Sequence, residues 1–136
     1  MLISLTVPAF TNEHQTLLSQ EITLLADGIT ITDALYESAV TRASTKEYTR
    51  KKTITKDGVT IGVIAVKGKF SYDGTTASVV SKSVIQTDTY NGWNYKQNAF
   101  ASSGSTITLD AKLTKLLVKN IPFTITMTCD KNGNVT

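Results

Sequence analysis

Apolar and polar residues alternate along most of this chain, and the longest such stretch lies near its middle. Val59–Val80 carries a β-branched run, an Asp73-Gly74 dipeptide and a second run. A period of two lines residues along one face of a strand, so this stretch predicts a central hairpin. The same period recurs on both sides. Ile29 and Ile31 alternate with threonines in a strand heading towards Tyr36, and Ile107, Leu109, Ala111 and Leu113 share one face. Ile121, Phe123, Ile125, Met127 and Cys129, with threonines, lysine-free, at most of the intervening positions, give the cleanest alternation, that of a half-buried antiparallel strand.

Turn dipeptides set these strands against each other. Asp57-Gly58, Asp73-Gly74 and Asn91-Gly92 each supply two residues that accept positive φ, as a type I′ hairpin turn requires. A two-residue loop fixes register. It predicts Ile54 opposite Ile61 and Lys52 opposite Val63, then Phe70 opposite Ala77 and Gly68 opposite Val79, then Tyr90 opposite Trp93. Gly62 and Gly68 mark a bulge or a close approach in a strand otherwise too long to stay flat. The apolar parity slips between Val63 and Ile64, which calls for a bulge there or burial on both faces. A turn at Lys119-Asn120 leads into the last strand, where Pro122 stands near the start, and Asn132-Gly133 ends the fold. About seven strands joined by short turns predict an all-β antiparallel β-sandwich over residues 28–136, with an open β-barrel as the alternative.

The first 27 residues read differently and form a leader in this division. Leu18, Ile22 and Leu25 fall at helical spacing and Asn12 is a suitable cap, so 12–27 predicts a short helix or a mobile segment. Residues 1–11 are apolar, then carry Pro8 and small residues, and resemble the tail of a secretory signal peptide cut after Thr11; an ordinary strand over Leu2–Val7 is the other reading. No run approaches the ~20 apolar residues of a membrane-spanning helix.

Charge sharpens the division. Before Arg42 there are five acids and no base, whereas from Arg42 onward 14 bases face six acids. A basic body can meet a polyanion such as a wall polymer or anionic lipid, or can simply keep strand edges unpaired and soluble. The single cysteine, Cys129, excludes an internal disulfide framework.

Little in the chain supports catalysis. His14 is the only histidine and lies in the leader, so no serine or cysteine has an evident base. Cys129 shares the parity of core residues and reads as a buried thiol. No cluster has metal-ligand spacing, and no cofactor motif is present. Asp57, Asp73 and Asp88 lie at or near turns, where aspartate is favoured for turn chemistry alone. Asp73 and Asp130 could approach each other in space. Two surfaces remain as candidate binding sites. Tyr90, Trp93 and Tyr95 form either an exposed platform for a sugar ring or protein, or part of the core. Lys46, Tyr48, Arg50 and Lys52 share one strand face, either as a polyanion site or as a guarded edge.

Thr41-Arg42-Ala43-Ser44, the Lys46–Thr55 strand, GKFSYDGTTA at 68–77, Gly92-Trp93-Asn94-Tyr95 and TMTCDKNGNV at 126–135 resemble a group of small secreted β-rich proteins of Gram-positive gut bacteria. The resemblance covers about residues 40–136, implies secretion and an immunoglobulin-like sandwich, and carries over no catalytic residue. The expectation is a secreted or cell-surface, non-enzymatic module that binds a glycan, wall polymer or protein. The alternatives are a protein that self-associates by strand pairing, and a small secreted toxin or antimicrobial. Specific nucleic-acid binding is not expected.

Overall fold

The computed structural model describes residues 15–38 and 44–136 as eight strands in two sheets. Strands β1 (Gln15–Leu24), β2 (Ile29–Ser38), β3 (Thr45–Lys56), β4 (Val59–Tyr72) and β5 (Ala77–Thr89) form the larger sheet in that order. Strands β6 (Asn94–Ser103), β7 (Thr106–Lys115) and β8 (Val118–Thr128) form the smaller one. Every pairing is antiparallel. The antiparallel sandwich is as expected, with eight strands rather than about seven and no closed barrel. Its connectivity is not that of an immunoglobulin domain. A Greek key needs a long connection that returns a strand across the sheet. Here each strand lies beside its neighbours in sequence, because the described connections within each sheet are short turns.

The segment of helical spacing is a correction. Gln15–Leu24 is a strand, laddered to β2 from Gln15 opposite Ser38 to Leu24 opposite Thr30. Asp27 and Gly28 both take positive φ, 63° and 72°, in the tight turn that joins them. The helical spacing of Leu18, Ile22 and Leu25 is coincidental: Leu18 is the unpaired residue of a bulge between Leu17 and Ser19, Ile22 lies in the regular part of the strand, and Leu25 lies past its end in the turn. The signal-peptide reading of 1–11 and the cap at Asn12 lie outside the described residues.

Register follows the turns where they are two residues long. Asp57 and Gly58 take φ 52° and 83°, and Lys56 pairs with Val59 and Thr55 with Thr60, as a two-residue turn dictates. A bulge at Ile61 then offsets the pairing, so Ile54 faces Gly62 and Lys52 faces Ile64. The parity slip is thus taken up at Ile61 rather than at 63–64. Asp73-Gly74 does not make a two-residue turn. Asp73 Oδ1 accepts the backbone N–H groups of Thr75 and Thr76, both at 2.8 Å, and this Asx turn widens the loop to Asp73–Thr76. Tyr72 therefore pairs with Ala77, Phe70 with Val79 and Gly68 with Lys82.

The core fills the space between the sheets. Tyr48, Ile54, Ile64, Val66 and Phe70 from the larger sheet meet Ile107, Leu109, Leu113, Ile125 and Met127 from the smaller. The expected alternation of β7 and β8 holds: Ile107, Leu109, Ala111 and Leu113 pair with Met127, Ile125, Phe123 and Ile121, all buried. Gly62 and Gly68 are the close approach. A Cβ on Gly68 would stand 2.5 Å from Ile107 Cδ1, and one on Gly62 would stand 2.7 Å from Leu113 Cδ1.

Candidate functional site

The aromatic trio does not form a platform. The Asn91-Gly92 turn has the expected left-handed residues, and the Trp93 N–H reaches the Tyr90 carbonyl at 3.2 Å. Yet this turn carries the chain from one sheet to the other. Trp93 is only 5% exposed and belongs to the core, and the Tyr95 ring packs against the same cluster, 6.5 Å from the Phe123 ring. Only Tyr90 is exposed. Burial pushes the Tyr95 phenol up from its ordinary value.

The basic strand also turns inward. Lys46, Tyr48, Arg50 and Lys52 share one face of β3, as expected, but that face looks at the smaller sheet. The Tyr48 hydroxyl donates to the Gly133 carbonyl at 2.6 Å. The Arg50 guanidinium donates to the Thr126 carbonyl at 2.6 Å, and the Lys52 ammonium to the Thr124 carbonyl at 2.5 Å. Asp33 on β2 lies 3.2 Å from Arg50 Nε and 3.9 Å from Lys52 Nζ. The Nε contact is ionic, because its angle does not meet that of a hydrogen bond. Desolvation lowers the Lys52 ammonium, and Asp33 offsets part of that fall. Lys46 pairs with Glu37 at 3.8 Å. These cations are thus tied to carboxylates and to the carbonyls of a strand edge.

The carboxylates and the thiol serve turns and core. The Asp73 loop and the C-terminal turn do meet, with the Gly74 N–H on the Lys131 carbonyl at 2.9 Å. Asp130 Oδ1 accepts the N–H groups of Asn132 and Asn134, as Asp73 Oδ1 accepts those of its own loop. These backbone donors hold both carboxyls below the ordinary carboxylate range. A general acid would need the opposite shift. Cys129 is buried, and burial followed by Asp130 pushes its thiol up. Among the described residues no group of histidine, cysteine and carboxylates could hold a metal ion. His14 lies outside them.

What remains is the outline of the sandwich, and its edges are not alike. The open side of β8 is covered. Thr124 and Thr126 give their carbonyls to Lys52 and Arg50, Thr128 exchanges two 3.0 Å hydrogen bonds with Thr136, and Pro122, of the same parity, has no N–H to offer. The edge of β5 is broken by bulges at Val80 and Ile85, and the Val79 N–H is taken by the Gly104 carbonyl. The edge of β6 carries a bulge at Asn98, with Lys96 nearby. β1 has a bulge of its own at Leu18 but neither proline nor base, and Leu17, Leu18, Ile22 and Leu24 are exposed along it.

The helical spacing over 12–27 hides this edge, because Gly28 suits the end of a helix as well as a strand turn. The dipeptide Asp27-Gly28 is the same signal that marks β3–β4. The sequence also predicts the β7–β8 turn at Lys119-Asn120, whereas the turn is Leu116-Leu117, a pair with no turn propensity to find. Comparison of the chain with protein families, with curated proteins and with solved structures finds no match.

Proposed function

We propose that this protein is a non-enzymatic assembly module, secreted or held at a cell surface, that associates through the open edge of β1. The observation that carries this reading is the contrast among the four sheet edges. Among the described residues three carry caps, paired bulges or a bulge beside a lysine, while β1 has one bulge, at Leu18, beyond which Ser19–Leu24 runs regular, uncapped and without a base, with Ile22 and Leu24 exposed. An open edge is a template for another strand, and natural proteins guard edges that must stay single. A second copy adding its own β1 satisfies both rows of backbone groups and covers the apolar side chains. Binding of a glycan or polyanion by the aromatic trio or the basic strand has less support, since those side chains are spent on the core and on ion pairs. The extracellular setting rests on the resemblance of residues 40–136 and on the apolar start of the chain. Molar mass measured by sedimentation across a wide concentration range tests the reading. Reversible association is expected, and a strict monomer throughout would end it.

A further inference from the structure

Four connections meet at one end of the sandwich: β1–β2, β3–β4, the crossing from β5 to β6, and β7–β8. Each carries an exposed apolar side chain, among them Leu24, Leu25, Val59, Tyr90, Leu116 and Leu117. The β7–β8 turn is the extreme case. Leu116 is 84% exposed and Leu117 is 97% exposed, and Leu117 takes a left-handed φ of 62°. The other non-glycine residues at positive φ among those described are Asp27, Ser44, Asp57 and Asn91, small polar residues suited to turns. A leucine there is strained and gains no burial. Among the described residues no contact accounts for it, which makes this turn the place to look for a partner.

Charge indicates the partner. Lys115 and Lys119 flank this turn on the smaller sheet's side, while on the larger sheet's side Lys56 at the β3–β4 tip is outnumbered by Asp27, Asp57 and Asp88. The Lys96–Lys112 cross-strand pair lies one step behind. Two exposed leucines at a turn whose own sheet carries Lys96, Lys112, Lys115 and Lys119 around it suit a bilayer whose headgroups are anionic: the leucines enter the acyl boundary and the ammonium groups stay among the phosphates. We propose that this end docks on anionic lipid, with Leu116 and Leu117 inserted.

Flotation of the full chain with phosphatidylcholine–phosphatidylglycerol vesicles tests this. The variant L116N/L117G is the control, because glycine relieves the left-handed position and the sandwich keeps its fold, which thermal unfolding verifies. The wild type is expected to float with anionic vesicles, to release at high salt and to bind pure phosphatidylcholine poorly. The variant should bind about tenfold more weakly or worse, since two leucines no longer leave water. Trp93, the sole tryptophan, lies at the same end with Lys115 Nζ 5.9 Å from its ring. Brominated acyl chains should quench it in the wild type only. Failure of the wild type to bind overturns the proposal, as does equal binding by the variant. Loss of self-association in L116N/L117G would overturn it too, by giving this end to a second copy.

Discussion

Tyr48, in the middle of the larger sheet, donates its hydroxyl to the carbonyl of Gly133 in the C-terminal turn at 2.6 Å, and the two positions are 85 residues apart. Tyr48 is 1% exposed, and its ring meets that of Phe70 edge-on at 6.3 Å. Gly133 has φ 88°, and a Cβ on it would stand 2.7 Å from the Tyr72 ring. The pair fastens the last turn over the core. Tyr48→Phe leaves a buried carbonyl without its donor and should cost about 1–3 kcal/mol. Gly133→Ala adds a left-handed penalty and a clash, and should cost about 2 kcal/mol or more. Urea titration of each variant checks the order.

Stability should fall at both ends of the pH scale, for separate reasons. Asp73 and Asp130 are held below the ordinary carboxylate range by backbone N–H donors. The unfolded chain therefore takes up protons first as pH falls. Their contribution is present above about pH 4 and is lost as pH drops through the lower folded values. Asp73→Asn with Asp130→Asn keeps an acceptor in each turn and should flatten the acid arm of the urea midpoint. Tyr48 shifts the other way, raised by burial first and by Glu37 next. Its contribution is present below about pH 10 and is lost as pH rises beyond that, because the unfolded chain ionises first. Tyr48→Phe should remove that part of the alkaline fall.

Asp33 holds two cations that would otherwise face a strand edge alone. Asp33→Ala should cost about 1–3 kcal/mol, between the values for exposed and buried pairs, since these side chains are half-buried. Adding Arg50→Met should recover part of that loss, a coupling that a double-mutant cycle reads directly. Removing Arg50 and Lys52 together uncaps Thr126 and Thr124, and light scattering should then report aggregation through β8.

Much of the fold was legible because its signals are local. The alternation of Ile121, Phe123, Ile125 and Met127 names a buried face without reference to the rest of the chain. Asp57-Gly58 fixes the start of its hairpin by φ alone. What was not legible depends on partners. Asp73 was read as one of two turn residues, but its side chain captures two N–H groups and lengthens the loop. Lys46, Arg50 and Lys52 look like a solvent face, and only the smaller sheet lying over β3 makes that face interior. The apolar spacing of Leu18 and Ile22 fits a helix as well as a bulged strand, and Asp27-Gly28 was the signal that separated them. Neither the β1 edge nor the apolar end could be found by motif, because each is defined by which of the described residues lie beside it.

Gly68 packs directly against side chains of the smaller sheet. A methyl group there would press on Ile107 Cδ1 and on Met127 Cε, at 2.5 and 3.2 Å. Both are ends of flexible side chains, so Gly68→Ala should be tolerated at a cost of about 1–3 kcal/mol. Gly68→Val should lower the unfolding temperature further.

The edge of β1 yields the sharpest test of assembly. The Leu25 N–H bonds the Ile29 carbonyl at 2.8 Å, so Leu25 points its backbone towards β2. Backbone direction alternates along a strand, which turns Thr23 and Glu21 towards β2 and leaves Ile22 and Gln20 facing outward. Gln20→Pro removes an N–H that no bond among the described residues uses, and so should spare the fold while blocking an added strand. Ile22→Lys places a charge on the same edge, the device seen on edges that stay single. Both variants should remain monomeric at concentrations where the wild type associates, with unfolding midpoints close to that of the wild-type monomer. Association that survives both changes would remove β1 as the contact, whatever the size of the assembly.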